Sequence, residues 1–477
     1  MKESFGFRPL LCGLALVVGC AHYQPQPLAP DQSAARYDAR RLDDPGLQAF
    51  LATNSGGAPL SWPLVKWNLR SLTLAALYFH PDLAVARAQW RVAQAGVITA
   101  GARPNPSVTF DPSYDTQIPN NPSPWMIPVS FDLPIETAGK RRKRMAEAEK
   151  AAESARWSLI SAAWQIRAGV RSSLLDYRLA GRRAELLQAQ FAAQTNLVAL
   201  LQGRFDAGSI GRPDLTLAQI ALHKTQLDLS DARSQAADAR SRLAQAIGVS
   251  LAALEGVSLD TDFPARTAAE LAALTAAEAR GAALRQRADI LGALADYAAA
   301  EAELQLQVAR QYPDLHLGPG YGWNQNNAND NQWTLGVTLE LPILDQNQGP
   351  IAEAEAQRKL SAAKFVALQA QVCAQIDRAV AGLQAARQQM LTGETLLAAE
   401  TRQLQSAEAQ LQAGAGDRQD MFNAQLEAAS AALTQLDNEG KLASAIGALE
   451  DALQQPADSL AATIQSISTD HAKGSQP

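Results

Sequence analysis

Residues 129–135 read Val-Ser-Phe-Asp-Leu-Pro-Ile, and residues 337–343, which lie 208 positions later, read Val-Thr-Leu-Glu-Leu-Pro-Ile. Other matches keep this spacing within two residues: Arg103 with Arg310, Pro106 with Pro313, Ala146-Glu-Ala148 with Ala354-Glu-Ala356, and Ala207-Gly208 with Ala413-Gly414. Several matches at one nearly constant spacing indicate an internal duplication. Each half predicts the same order of elements: a helix, two strands, a very long helix, a glycine-containing turn and a returning helix.

Four segments of about ten residues alternate strictly between apolar and polar side chains, and this period predicts β-strands with one apolar face. The predicted strands are 107–115, 125–133, 315–323 and 333–341. Their apolar faces carry Tyr114, Trp125, Phe131, Tyr321, Trp323 and Trp333, most of them beside the connecting loops 116–124 and 324–332. Strands of this kind are typical of lipid-facing barrel strands with aromatic ends. A half-buried sheet of a soluble protein has the same period and is the alternative.

The number of strands limits how they can cross a membrane. The smallest membrane barrels need about eight strands, so the four predicted here cannot close one. Open sheet edges are not tolerated in lipid. If these strands span a membrane, several chains must therefore share one barrel.

The rest of each half predicts helices. Stretches rich in Ala, Gln, Leu, Glu and Arg, which are strong helix formers, predict two long helices. The first covers 140–204 and contains no proline, and the second covers 349–412, where Pro350 opens the helix at its first turn. Helices over 82–103 and 287–311 precede the strands, and helices over 215–248 and 421–453 run back antiparallel to the long ones. The predicted domains are a first repeat at 71–255, an equatorial linker at 256–286, a second repeat at 287–455 and a tail at 456–477.

The N-terminus predicts export and a lipid anchor. Lys2 and Arg8 precede a short apolar stretch, 10–19, that ends at Cys20, which indicates a signal peptide over 1–19. The ending resembles the bacterial lipoprotein signal, with Cys20 lipidated and Ala21 favouring the outer membrane; an ordinary signal peptide with an incidental cysteine is the alternative. Residues 20–70 are rich in Pro, Asp, Gln and Gly and predict an extended, lipid-anchored tether that leads into the periplasm.

Composition excludes several other functions. The 477 residues carry a net charge of −6, which leaves no basic excess for nucleic acid. No catalytic motif is present, and the five histidines lack metal-ligand spacing, so neither an enzyme nor a metal or cofactor site is expected. Besides Cys20, the predicted mature chain has only Cys373, for which we expect a packing role.

The two halves together resemble the outer-membrane efflux channel family, often called the TolC family. The resemblance rests on the repeated helices and strands, the two Leu-Pro-Ile motifs, and the glycine turns followed by Asp214 with Ala218-Gln219 and by Asp420 with Ala424-Gln425. Residues 133–144, Leu-Pro-Ile-Glu-Thr-Ala-Gly-Lys-Arg-Arg-Lys-Arg, are similar to the branch of lipoproteins that serves heavy-metal efflux pumps of the resistance–nodulation–division type.

The resemblance implies a mainly α fold with a small β part. Long antiparallel helical hairpins would form an α-barrel, and four strands per chain would contribute to a shared, trimeric, 12-stranded transmembrane β-barrel. It also implies a homotrimer that works with a periplasmic adaptor protein and an inner-membrane pump as a passive exit duct. Two departures leave the substrate open between heavy-metal cations and drugs: the second half has Asp345-Gln-Asn-Gln-Gly-Pro350 in place of the basic run, and His80-Pro81 replaces the usual Asn-Pro. The alternatives are an exit duct for type I protein secretion and a periplasmic coiled-coil scaffold lipoprotein.

Two kinds of candidate site lie at the turns between long helices. Asp206, Asp214, Asp417 and Asp420 are predicted to line a periplasmic gate; the alternative is that they cap helices. The turns 204–212 and 412–418 are predicted adaptor-docking tips, with Gly208, Ser209, Ile210, Gly211, Gly414 and Gly416 at their centres; the alternative is that they are simple helix connections. The basic run 140–144 is interpreted either as a contact with the membrane interface or as a solvated helix start.

Overall fold

The structure is a computed structural model of the 477-residue chain. It describes residues 23–54, 62–114, 116, 125–263, 266–324, 330–456 and 460–466. The predicted signal peptide 1–19, the lipidation site Cys20, most of the two strand-connecting loops and the last residues of the tail lie outside the described residues.

The described elements follow the predicted repeat. The first half contains α1 (Pro30–Asp38), α2 (Pro45–Asn54), α3 (Leu69–Phe79), α4 (Pro81–Ala100), β1 (Ser107–Phe110), β2 (Ser113–Tyr114), β3 (Trp125–Ile135), α5 (Lys140–Asp206) and α6 (Arg212–Ile247). A short 3₁₀ helix (Leu251–Leu254), α7 (Ala268–Leu274) and α8 (Ala277–Gln286) join the halves. The second half contains α9 (Ala288–Ala309), β4 (Leu315–Asn324), β5 (Asp330–Leu339), α10 (Gln348–Gln412), α11 (Arg418–Leu453) and α12 (Leu460–Ser466).

The long helices of the two halves begin after a residue with the same backbone conformation. The residue before α5 is Gly139 and the residue before α10 is Asn347; both have left-handed backbone angles, with φ of 69° and 61°. Glycine and asparagine adopt this conformation most readily. The helices have 67 and 65 residues, and at 1.5 Å per residue each is about 100 Å long.

The strands form one antiparallel sheet in the order β1-β3-β4-β5, and β2 also pairs with β3. The first segment, predicted as one strand over 107–115, is divided into β1 and β2. Pro112 lies in the gap and has no N–H to donate to the ladder. The register is unchanged across the gap, because Phe110 faces Val129 and Ser113 faces Met126.

The N-terminal segment is docked against the helices, in place of the extended tether expected over 20–70. The Tyr37 hydroxyl donates to the Val249 carbonyl at 2.8 Å, and the Arg40 guanidinium donates to Gly248 O at 2.6 Å. Leu47 and Leu51 of α2 are fully buried in the largest apolar cluster, which also contains α3 and the middle of α5. The buried side chains of Leu42, Leu47 and Leu51 therefore hold this segment against the helices.

The linker between the halves is also helical. Leu271 and Leu274 of α7 pack in a second cluster with Val372 and Ile376 of α10 and with Leu449 of α11. Within the part of the chain that the structure describes, none of the helices combines the length and the hydropathy needed to cross a membrane.

Candidate functional site: the sheet and the helix tips

The sheet has one apolar and one polar face. Strand pairing places Leu315 opposite Leu339 and Leu317 opposite Val337, while the intervening His316 faces Thr338. The apolar face is half-buried at Ile127, Val129, Leu315, Leu317 and Tyr321 of the two central strands, and most of its other large apolar side chains are exposed. Its exposed side chains are Val108, Phe110, Tyr114, Trp125, Phe131, Leu133, Ile135, Trp323, Trp333, Leu335, Val337 and Leu339, and Trp333 is 80% exposed. The isolated chain therefore leaves a large apolar surface exposed, and a surface of this kind is normally covered by a membrane or by another molecule.

Aromatic pairs occupy the end of the sheet next to the connecting loops. The Tyr114 and Trp125 rings lie 5.1 Å apart, and the Tyr321 and Trp333 rings lie 4.7 Å apart. These two cross-strand pairs are equivalent in the repeat. Trp323 lies beside them opposite Ile127, whereas Phe131 lies nearer the middle of the sheet. All six predicted aromatic residues are therefore on the apolar face.

The basic run stabilises the junction between strands and helices. Arg141 Nε donates to Gly101 O at 2.6 Å and Arg144 Nε to Ala100 O at 2.8 Å, so both side chains satisfy carbonyls at the end of α4. Arg144 also pairs with Glu136 at 2.7 Å. Neither sequence interpretation of this run included these contacts with the end of α4, because only tertiary packing brings the two segments together.

Lys140 makes a second contact at this junction. Its Nζ lies 2.8 Å from Asp314 Oδ1, immediately before β4, and the Thr137 amide donates to the same oxygen at 2.8 Å. Burial raises the pKa of Asp314, but the hydrogen bonds from Lys140 and from the Thr137 amide outweigh it and hold the pKa below its usual range. The first long helix is thereby fixed to the first strand of the second half.

The two tips have the same hydrogen-bonded turn. Ser209 N donates to Arg204 O at 2.8 Å, and the equivalent Ala415 N donates to Gln410 O at 2.9 Å. Gly208 and Gly414 have φ of 73° and 71°, a conformation that favours glycine. Residues 208, 209, 211 and 414 are exposed, and Ile210 and Gly416 are half-buried.

An ion pair joins the two tips within the chain. Asp417 precedes α11, and its side chain accepts from Gln419 N at 3.2 Å. Arg204, near the end of α5, reaches the Asp417 carboxylate at 2.6 Å and Gln419 Oε1 at 2.6 Å. The hydrogen bond from Arg204, then that from the Gln419 amide, lowers the pKa of Asp417. Sequence reasoning missed Arg204, since its partner lies in the other repeat.

The other predicted gate residues occupy separate positions. Asp206 accepts from Gln202 Nε2 at 2.8 Å within α5, while Asp214 and Asp420 lie in the first turns of α6 and α11, where carboxylates complement the helix dipole. In the described ranges, no group of three or more His, Cys, Asp or Glu side chains is arranged to hold a metal ion.

Comparison with known families identifies the chain. The sequence profile of the family described as "Outer membrane efflux protein" matches residues 72–249 and 279–454, one segment in each half of the chain. The chain belongs to the outer membrane efflux protein family. Members of this family are ducts, and the family is not a class of enzymes.

Among individual proteins, the efflux-family chain is 27% identical over 289 residues to the cobalt-zinc-cadmium resistance protein CzcC of Cupriavidus metallidurans. That alignment covers 60% of this chain and 65% of the relative, so the chain spans slightly less than two thirds of the relative's length.

Solved channels share the fold. The outer membrane protein VceC of Vibrio cholerae has a TM-score of 0.67 at 19% identity, covering 81% of this chain and 96% of that one. The Campylobacter jejuni CmeC outer membrane channel has a TM-score of 0.67 at 14% identity, covering 84% and 89%. Channels of this type combine a helical barrel with a trimeric β-barrel, and the predicted fold class is confirmed.

A buried ionic cluster joins the two repeats of this family member. Glu450 of α11 is 4% exposed and lies 2.8 Å from Arg266 Nε, 3.4 Å from Arg167 of α5 and 3.9 Å from Arg171 of α5. Gly447 makes room for it, since a Cβ at this position would overlap the Arg171 guanidinium. The sequence did not predict this cluster, because its charged residues lie in helices that contain many other polar residues.

A half-buried contact between the halves has a pH-dependent charge. Glu147 of α5 and Glu303 of α9 hydrogen-bond across the junction of the halves, beside a cavity that Asp296 and Lys364 also line. Burial first, then the hydrogen bond and the charge of Glu303, raises the pKa of Glu147 to about 7. One carboxyl group of the pair is thus protonated at mildly acidic pH.

We expect this pair to make stability depend on pH. Between the usual glutamate pKa and about 7 the folded protein retains a proton that the unfolded chain has lost, so the free energy of unfolding falls as pH rises through this window. Glu147→Gln should flatten the fall in Tm between about pH 5 and 8. Glu153→Gln, an exposed control that removes only the pair with Lys150, should not. Parallel Tm profiles for all three proteins would contradict this assignment.

Proposed function

We propose that three copies of the chain form the outer-membrane duct of a tripartite efflux pump. The observation that carries this proposal is the largely exposed apolar sheet face, together with the outer strands β1 and β5, each of which pairs on one side only among the residues that the structure describes. Lipid can cover such a face but cannot satisfy open strand edges, which other copies of the chain must therefore pair. Three copies supply twelve strands, more than the roughly eight that the smallest membrane barrels need.

The duct is passive in this proposal. The long helices continue the barrel into the periplasm, and the inner-membrane pump, of the resistance–nodulation–division type, supplies the energy. The proposed contact for the periplasmic adaptor consists of the turn residues Gly208, Ser209, Ile210, Gly211, Gly414 and Gly416, of which Ile210 and Gly416 are half-buried. Lipidation of Cys20 anchors each chain to the outer membrane, and the docked α1 and α2 connect that anchor to the helical body.

For the substrate we propose small toxic solutes, with heavy-metal cations favoured over drugs. The similarity to a cobalt-zinc-cadmium resistance protein and the sequence of residues 133–144 support this choice. The cations would be cargo that passes through the duct. A deletion strain tested on a panel of metals and drugs distinguishes the two substrate classes, since only the transported class should become more toxic.

The duct itself is tested with purified full-length protein. We expect a trimer that dissociates on heating in SDS gels and that gives single-channel conductance in planar bilayers. A monomer without conductance would refute the duct and favour the scaffold lipoprotein. Conductance combined with unchanged metal and drug sensitivity, and with loss of a secreted protein, would favour the type I secretion duct.

The aspartates near the tips are proposed to line the gate. We expect the Asp417→Asn/Asp420→Asn double variant to lower cation selectivity in bilayers, because carboxylates at a constriction attract cations. Asp31→Asn in the exposed helix α1 is the control and should leave selectivity unchanged. Arg204→Gln distinguishes a role of Asp417 in the gate from its role in the ion pair with Arg204. If Asp417 acts only through its ion pair, Arg204→Gln should reproduce the double variant; unchanged currents in the double variant would exclude a gate here.

A further inference from the structure

The polar face of the sheet carries a histidine that is paired with a carboxylate. His316 of β4 lies opposite Pro134 of β3 and Thr338 of β5. Its ring Nδ1 lies 3.0 Å from each of the two carboxylate oxygens of Asp132, which is on β3. The two residues belong to different halves of the chain and are 184 positions apart, so sequence spacing gave no sign of this pair.

The contact with Asp132 determines which ring nitrogen of His316 can bind a cation. An ionised carboxylate only accepts hydrogen bonds, so Nδ1 is the nitrogen that carries the proton. In the neutral ring the free lone pair is then on Nε2, and a carboxylate bound to the other nitrogen increases the basicity of that lone pair. Histidines that bind metals in proteins commonly have this arrangement. The His316 side chain is 39% exposed, so a solute can reach it.

His316 also lines a cavity of about 880 Å³ between the sheet and the first turns of the long helices. Two carboxylates of this cavity are already paired with cations. Glu136 lies 2.7 Å from Arg144, and Asp314 lies 2.8 Å from Lys140. These ion pairs neutralise most of the charge around the cavity, so a further carboxylate is needed if the cavity is to attract a cation.

Glu340 is a carboxylate of this kind. It is exposed, lines the same cavity and directly follows β5. It lies two positions after Thr338, which is opposite His316, so Glu340 and His316 are diagonal neighbours on the polar face. Diagonal neighbours are about 7–8 Å apart, within reach of long side chains. The Glu340 carboxylate and Nε2 of His316 can therefore contact one cation together.

We propose that His316, positioned by Asp132, is a transient ligand for divalent transition-metal cations in the duct, with Glu340 as the second ligand. This inference rests on the proposed function and names residues that select its cargo. Imidazole suits Zn²⁺, Ni²⁺ and Cu²⁺, whereas Mg²⁺ and Ca²⁺ prefer oxygen ligands. Two protein ligands hold a cation weakly, and a conducting site must let its ion leave.

Zinc block of single-channel currents tests the site in purified full-length protein. Each variant is measured in planar bilayers against its own current without divalent cations. In the wild type we expect Zn²⁺ to reduce the current at lower concentration than Mg²⁺ does, and His316→Gln should remove this difference. Asp132→Asn should raise the zinc concentration for half block about 10–100-fold, the usual loss when the partner of a metal-binding histidine is changed. The magnesium response should shift far less.

His223→Gln is the matched control, since His223 is an exposed histidine of α6, and it should leave the zinc response unchanged. Equal zinc block in the wild type and in His316→Gln would overturn the inference and leave the duct intact. A wild-type channel that responds equally to Zn²⁺ and Mg²⁺ would do the same. A protein without conductance would overturn the duct and this inference with it.

Chemical modification of the wild type gives a second readout that does not depend on the folding of a variant. Zn²⁺ should protect His316 from diethyl pyrocarbonate, whereas the exposed His223 should stay reactive; Mg²⁺ should protect neither. Peptide mass spectrometry measures the modified fraction of each histidine. Equal modification of His316 with and without Zn²⁺ would show that it does not bind the cation.

Discussion

Val337→Lys is expected to prevent the protein from reaching the outer membrane as an assembled trimer. Val337 lies on the apolar face of β5 opposite Leu317 and is 60% exposed in the chain. In the proposed duct this side chain faces lipid. A lysine on the lipid face of a barrel costs about 2–4 kcal/mol near the middle of the bilayer, and each trimer would contain three. Membrane fractionation and heat-modifiable migration measure the outcome.

The neighbouring residue provides a matched control. Thr338 is on the opposite face of the same strand, opposite His316 and at nearly the same depth. A lysine there would point to the polar interior, so Thr338→Lys should assemble as wild type does and change only the conductance. Equal assembly of both lysine variants would mean that the apolar face does not contact lipid, and the duct proposal would fail.

Glu450→Gln is expected to destabilise the folded chain by about 3–5 kcal/mol, because the buried arginines around it lose the charge of a shared partner. Asp451, which lies 3.3 Å from Arg167, is retained in this variant. Glu450 is almost completely buried between Arg167, Arg171 and Arg266. The glutamine keeps the size of the side chain and removes its charge. Denaturant unfolding of the detergent-solubilised protein, followed by circular dichroism, measures the change in the free energy of unfolding.

An ion pair on the surface of the same helix gives the control. Glu439 lies 3.8 Å from Arg178, and both side chains are more than one third exposed. Glu439→Gln should cost no more than about 1 kcal/mol, since solvent screens exposed pairs. If the two glutamine variants lose the same stability, the buried cluster does not hold the two repeats together.

The sequence predicted most of the architecture because the fold is periodic and repeated. Alternation placed all four strand segments, and long helix-forming runs placed α5 and α10 within a few residues. The sequence did not predict the helices of the N-terminal segment. Leu47 and Leu51 of this segment pack in a cluster built from α3, α5 and α6, and the sequence does not show which distant segments supply that cluster.

The sequence likewise predicted some features of the candidate sites and not others. Glycine spacing located the turns, since a left-handed residue at Gly208 and Gly414 is a local requirement. The partners of the charged residues were not predictable. Arg204 with Asp417, Lys140 with Asp314 and the arginines around Glu450 each join residues more than 170 positions apart.

The sequence by itself determined the duplicated unit, its strand faces and its long helices, since these follow from residue periods of two and of about 3.6. Only the tertiary structure decided how the two units meet. It placed β4 beside β3 in one register, brought Leu426 and Leu433 onto α5, and left Ile220 and Leu227 exposed. The physical reason is that periodicity fixes which face of an element is apolar, whereas the partner of that face depends on packing between distant segments.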